Sequence, residues 1–333
     1  MAIVFSKKSG LNDDLWKVTD QVVRAVLMDT DNEKNNDDEL VKSLFNIKKS
    51  DKFGEKMTGL TEMANFDIVD EGDNGVQDEL QQGFSKLIEH KQFIKTFVCT
   101  AEINEDGDID TMKTAAANFV RAYKRTRAQY ASDALTGEGS TFMFGGKSLD
   151  KTTGDAKALF ATDHPGKKSG VAEQSNVFTN GFGTDSKMLN RLANIGRNFK
   201  NASGNVMGYT FDTIVIPGNC PELEDTVRKI IKSDLTVGSN YNDVNTQKGL
   251  WNLVVNHRWV VEEGKAPYII MSSEANKELS GSVFFDRIPL TMKDWVEEKS
   301  FNLNWSGRAR MSAGFFDWRH VILGGADVGT TLS

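Results

Sequence analysis

The sequence predicts an α+β chain, and three observations carry that prediction. Residues 57 to 100 read as a long hairpin-like stretch, residues 110 to 135 as one uninterrupted amphipathic helix, and residues 186 to 282 as alternating helix and strand. The hairpin has more edge than a single subunit covers, so the chain is expected to complete itself on its neighbours.

Taken in order, residues 1 to 52 form an arm with two apolar pieces. Leu11, Leu15, Val18, Val22 and Val26 share one helical face, the polar run Asp29 to Asn36 reads as a linker, and Leu40, Leu44 and Phe45 make a shorter stripe. Residues 53 to 90 form an extended loop. Its turn is expected at Asp73-Asn74-Gly75, because Asn-Gly tolerates the positive φ angles of a tight turn. Both flanking arms exceed ordinary strands of ~3 to 10 residues, and an isolated ribbon is marginal in water. On the return arm Phe84, Ile88, Ile94 and Val98 point one way, while Leu87, Phe93, Phe97 and Cys99 point the other, so both faces require cover.

The helix from 110 to 135 follows from the spacing of Met112, Ala115, Ala116, Phe119, Tyr123, Thr126, Tyr130 and Ala134, with caps at Asp108 and Asp110 and a stop at Gly137. Lys113, Arg121, Lys124, Arg125 and Arg127 fall among its non-core positions, and it reads as a spine. A glycine-rich excursion follows to residue 185. Then come a helix carrying Met188, Leu189, Leu192 and Ile195, a strand at 211 to 216, a helix at 221 to 232, and strands at 250 to 261 and 267 to 272. Beyond Val283, residues 301 to 305 and 308 to 323 read as long strands returning to the spine.

Three of these segments resemble the major capsid proteins of tailed bacteriophages with the Hong Kong 97-type fold, most closely the Mu-like major head subunits. The first is Gly83 to His90 with Phe93 and Phe97-Val98-Cys99-Thr100, similar to the return arm of the family's extended loop. The second is the spine helix followed by Ala158-Leu159-Phe160-Ala161-Thr162-Asp163-His164-Pro165 and Gln174-Ser175-Asn176. The third is Phe211 to Pro217 with the helix from Pro221, similar to the opening of the family's axial domain. The resemblance implies an N-terminal arm (1–52), an extended loop (53–90), a peripheral domain with its spine helix (91–185), an α/β axial domain (186–282) and a return to the peripheral domain (283–333). It implies a major head protein that self-assembles into pentamers and hexamers of a shell enclosing double-stranded DNA. Portal and scaffolding proteins are the implied partners, with room for a decoration protein, and the implied location is the virion capsid, assembled in the host bacterial cytoplasm. Some members weld subunits through a lysine of the extended loop. This chain has no lysine between Lys56 and Lys86, so a shell without covalent links is expected.

Composition agrees with that reading. A length of 333 residues suits roughly two domains. Cys99 and Cys220 lie far apart, against a disulfide framework or a zinc site, and are expected as buried thiols in a reducing cytoplasm. No signal peptide and no membrane-spanning run is expected. A net charge of −7 argues against tight phosphate neutralisation and suits weak, sequence-independent contact with packaged DNA.

Several motifs imitate chemistry. In Gly145-Gly146-Lys147-Ser148 the opening glycine of a phosphate loop falls on Thr141, and in Gly181-Phe182-Gly183 the third glycine of a dinucleotide fingerprint falls on Ser186; both are expected as turns. Glu105 to Asp108 resembles a calcium loop, but Lys113 stands where the bidentate Glu belongs, so a helix cap is expected. Four separated histidines offer no metal-ligand spacing, and no cofactor is expected. Trp251, Trp259, Trp305 and Trp318 are expected in the core rather than as stacking platforms. Two other functions stay open: an encapsulin-like nanocompartment shell, and a hydrolase using Asp163 and His164, against which Thr162, Asp163 and His164 are expected to bond to loop backbone. The acidic run of the extended loop, with Glu62, Asp67, Asp70, Glu71 and Asp73, is the candidate assembly contact. Its expected counterpart is the exposed flank of a neighbouring spine, with Arg121, Lys124, Arg125 and Arg127.

Overall fold

The computed structural model describes residues 4–5, 16–60, 68–71, 82–137, 139–166, 171–201, 204–237 and 243–326. The chain opens with β1 (Val4–Phe5), α1 (Lys17–Asn32), α2 (Asn36–Leu44) and β2 (Asn46–Lys49). The two arms of the extended loop are β3 (Gly54–Leu60) and β4 (Gln82–Glu89), followed by β5 (Lys91–Cys99), α3 (Ala101–Glu105) and the spine helix α4 (Ile109–Thr136). Then come β6 (Thr141–Phe144), β7 (Lys147–Asp150), α5 (Lys187–Arg197), β8 (Thr213–Pro217), α6 (Pro221–Lys232), β9 (Asn252–Asn256), β10 (Tyr268–Met271) and α7 (Ser273–Glu278). The chain closes with β11 (Ser282–Val296), β12 (Leu303–Phe315) and β13 (Val321–Gly324).

The spine starts where Asp108 accepts a hydrogen bond from the Thr111 amide and stops at Gly137, as its sequence signals require. Its 28 residues make a rod about 42 Å long at ~1.5 Å per residue. Against it lies a five-stranded sheet ordered β1-β11-β12-β5, with β2 alongside β11. The long antiparallel pair β11–β12 shifts register on either side of Ile288, next to Pro289, which has no amide to give the ladder. A second sheet is ordered β13-β10-β8-β9; the residues of β8, β10 and β13 are all buried. The hairpin β3–β4 and the small hairpin β6–β7 stand outside both sheets.

One apolar core joins the C-terminal half of the spine, α2 and the four-stranded sheet; another joins Trp16, Val23 and Leu27 to Met112, Ala116, Phe119, Leu303 and Trp305. All four tryptophans expected in the core are buried.

The structure departs from the sequence reading of the fold in four places. The expected return arm is two strands in different sheets, β4 paired with β3 and β5 with β12, so Ile88 is buried while Ile94 and Val98, expected on its face, are exposed. The arm helix buries Thr19, Val23, Leu27 and Thr30 while Val22 and Val26 are only half-covered, so its buried face is turned by one residue, and the expected linker is helical as far as Asn32. The strand expected to 261 ends at Asn256, where the Trp259 amide donates back to the Asn256 carbonyl in a turn. The segment from Arg308 to Leu323 is not one returning run: a turn at Phe316–His320 carries the chain from β12 into β13, which joins the four-stranded sheet beside β10. The expected turn at Asp73-Asn74-Gly75 lies outside the described residues.

Candidate assembly interface

The four cations expected on one exposed flank of the spine divide into two pairs. Lys124 is buried, its side chain 3% exposed. Its Nζ donates to the carbonyls of Thr30, Asp31 and Glu33 at 3.1, 2.8 and 2.9 Å and lies 3.5 Å from Asp38. It thereby caps the C-terminus of α1, where the last carbonyls have no partner of their own and the helix dipole favours a cation. Arg127 is also buried, 2.8 Å from Asp286 and 3.4 Å from Asp38, with its guanidinium over the Phe284 ring. Burial pushes the Asp286 carboxyl up while Arg127 pulls it down, and the balance lies above the usual carboxylate range. Lys124 and Arg127 therefore hold the subunit's own arm and sheet to the spine, and the expectation that they face a neighbour is corrected. Arg121 and Arg125 are exposed as expected, with Arg121 3.7 Å from Glu33.

On the acidic side, Asp70 and Glu71 are exposed; Glu62, Asp67 and Asp73 lie outside the described residues. Beside them Ile68 is 102% exposed and Val69 is also open to solvent. The arms of the extended loop are fixed at their base. Ile88 packs with Val283 and Phe285, and Lys86 donates to Thr152 and lies 2.8 Å from Asp150. Burial lowers the Lys86 pKa, and its bonds to Asp150 oppose that. Away from this base Leu87, and on β5 Ile94 and Val98, are exposed, while Phe93 and Phe97 pack inward.

A groove that the sequence did not announce opens beside β5. It lies between β5, the spine and the β6–β7 hairpin, with a volume of about 650 Å³. Phe93, Phe119, Tyr123, Phe144 and Leu290 line it, and Lys91, Lys95 and Lys147 stand at its edge. Its floor is open because Gly307 faces Phe119: a Cβ there would lie 2.7 Å from the ring. Gly145 and Gly146 adopt positive φ at the tip of the β6–β7 hairpin, so the run that imitates a phosphate loop is a turn; Gly183, also at positive φ, lies in a loop ahead of α5.

The motif around His164 is a structural joint. The backbones of His164 and Gln174 bond reciprocally at 3.0 Å, and the Asn176 side chain donates to the Leu159 and Val321 carbonyls and accepts from the Ala161 amide. The His164 ring stacks on Trp318 at 4.2 Å between centroids, and its Nδ1 lies 2.8 Å from Asp155, not from Asp163. Burial disfavours the Asp155 charge, yet bonds from His164 and Thr153 hold its carboxyl below the usual range. His164 is wholly buried and its Nε2 has no hydrogen-bond partner among the described residues, while Asp163 bonds to Lys157. The pair Asp163–His164 posited for a hydrolase is thus not assembled. Cys99 and Cys220 are both free, the first buried and the second at the start of α6.

The fold matches solved structures of a capsid particle and of phages over most of the chain. The capsid of a native GTA particle matches over 88% of this chain and 90% of its own, at 10% identity and a TM-score of 0.55. A chain of Mycobacterium phage Patience matches over 99% and 95%, at 11% identity and a TM-score of 0.52. The chain has the Hong Kong 97-type fold of tailed-phage capsid subunits. A chain of Microbacterium phage Oxtober96 shares that fold over 88% of this chain and 90% of its own, at 10% identity and a TM-score of 0.51. No family model matches the sequence, and no curated protein matches it. Among the described residues no helix is long and apolar enough to cross a membrane, and no group of side chains is set to hold a metal ion.

Proposed function

We propose that this chain is the major head protein of a tailed phage, assembling into pentamers and hexamers of a shell around double-stranded DNA. The observation that carries the reading is the fold, which runs over nearly the whole chain and includes a two-stranded ribbon that, among the described residues, pairs with no other strand and leaves Leu87 exposed. A ribbon of that kind is marginal alone and is stabilised when another subunit supplies the missing surface. Closed point symmetry then repeats each modest contact many times. The four-stranded sheet with its helices is the axial unit of this reading, and the spine with the five-stranded sheet is the peripheral one.

Portal and scaffolding proteins belong to the same proposal, as do a decoration protein and an assembly site in the host cytoplasm. Contact with DNA is weak and without sequence preference, in line with a net charge of −7. The acidic stretch of the extended loop lies on a basic surface of the adjacent subunit, and the exposed pair Arg121 and Arg125 is what the spine itself still offers to it. Electron microscopy of the purified chain, concentrated at neutral pH with and without a crowding agent, tests the reading. Closed shells or rings of five and six are expected. A protein that remains a monomer through every condition overturns it, and shells that co-purify with a cargo enzyme and lack DNA point to a nanocompartment instead.

A further inference from the structure

The groove beside β5 and the exposed segment at residues 68 to 71 are complementary in two independent ways. The groove is apolar within and cationic at its edge. Lys95 and Lys147 are exposed and have no ion pair among the described residues, and Lys91 reaches only the exposed Glu89, at 3.2 Å. The segment Ile68-Val69-Asp70-Glu71 has the opposite arrangement, two apolar side chains standing in solvent followed by two carboxylates. A fully exposed isoleucine beside paired acids is unfavourable in a free subunit, and so is an apolar cleft of about 650 Å³ lined by aromatic rings.

The spine flank meets only half of this demand. Lys124 and Arg127 are occupied inside the subunit, Arg121 already lies near Glu33, and this flank presents cations without an apolar recess. We propose that Ile68 and Val69 of one subunit seat in the β5–spine groove of a second copy, with Asp70 and Glu71 paired to Lys95 and Lys147 at its edge. This rests on the shell reading and names the surface through which the extended loop is held. The apolar pair supplies most of the affinity, because burying an isoleucine contributes far more than a screened pair at an interface rim. The lysines fix direction and speed encounter.

The test separates this contact from shell formation. In a chain carrying Ile68→Ser and Val69→Ser the groove is left vacant by its own neighbours, and a fluorescent peptide of residues 62 to 79 is titrated onto it. Saturable binding is expected. Serine at positions 68 and 69 of the peptide is expected to weaken it about 10- to 100-fold. Lys95→Glu in the chain is expected to weaken the parent peptide, and a peptide carrying Glu71→Lys is expected to recover part of that loss. Both sets of chain substitutions fall on exposed positions, and an unchanged thermal transition confirms that the groove is intact. Binding that is indifferent to the Ile68→Ser and Val69→Ser changes in the peptide, or absent altogether, overturns the inference, even where the parent chain forms shells and the shell reading stands. Binding with the expected pattern, in a chain that never forms shells, supports the groove contact and removes the shell reading.

Discussion

His320 fixes the crossing between the two sheets, and it does so only while neutral. Its ring is wholly buried at the turn from β12 into β13. Nδ1 lies 2.8 Å from the Asp317 carbonyl, which only accepts, so Nδ1 carries the proton and Nε2 accepts from the Ser282 hydroxyl at 2.6 Å. Gly281 is required beside it, since a Cβ there would lie 2.2 Å from Nδ1. Burial drives the His320 pKa down to about 3, partly offset by the bond to Asp317. With an unfolded value near ~6.5, the unfolded chain binds the extra proton between these limits. Stability from this group is therefore complete above about pH 6.5 and is lost as pH falls toward 3. By linkage the loss is about 2 kcal/mol at pH 5. Urea unfolding of dilute subunits at pH 7 and pH 5, for the parent and for His320→Gln, isolates the effect because every other titrating group is common to both. The parent should lose about 2 kcal/mol more than the variant over that interval. Equal losses would show that His320 is not held neutral, and the argument from its burial would fail.

Three further outcomes are expected. Arg127→Met should destabilise the subunit by roughly 3 to 5 kcal/mol in the same unfolding assay, because it leaves Asp286 buried without its cation. Mature particles boiled in detergent should run as monomer on a gel, since no lysine lies between Lys56 and Lys86 and the Lys86 amine is already held by Asp150 and Thr152; a ladder of multimers would contradict this. Replacing Asp70, Glu71 and Asp73 with lysine should slow assembly sharply at low salt and much less at high salt, followed by light scattering, because rim charges are screened over ~8 Å at physiological ionic strength.

The spine was legible because its start and stop signals and its 3.6-residue spacing all agree. The alternation of helix and strand after residue 186 was legible for the same reason. The hairpin was legible only in part: its two arms pair, but the expected return arm breaks at His90, and Lys91–Cys99 leaves the ribbon to pair with β12, so Ile88 is buried while Ile94 and Val98 are exposed. The charges on the spine were not. Lys124 and Arg127 occupy positions that a periodicity argument assigns to solvent, and what draws them inward is distant in sequence: the carbonyls that end α1, together with Asp38 and Asp286. A buried cation is stabilised by partners, and partners about 90 or more residues away leave no local trace. The arm helix misled in the same manner. Val22 and Val23 are equivalent in hydropathy, and which of them is buried is decided by the face that α4 presents.

The groove was invisible for a different reason: it is defined by what is missing. Gly307 on β12 leaves the floor open, Phe119 crosses it from the spine, and the β6–β7 hairpin closes the far side. None of these elements is unusual alone. The sequence does record the other half of the proposed contact, because Ile68 and Val69 interrupt an acidic run that a merely solvated loop would keep polar. A subunit that folds alone and still assembles must keep such pieces unmatched within itself and matched between copies. Here β5 gives one edge to β12, has no strand on its other edge among the described residues, and leaves Ile94 and Val98 58% and 51% exposed. The internal cations hold the arm and sheet, and in the proposed contact the edge lysines are left for the neighbour. Under the proposed shell reading, that division lets one chain be stable before assembly and directional during it.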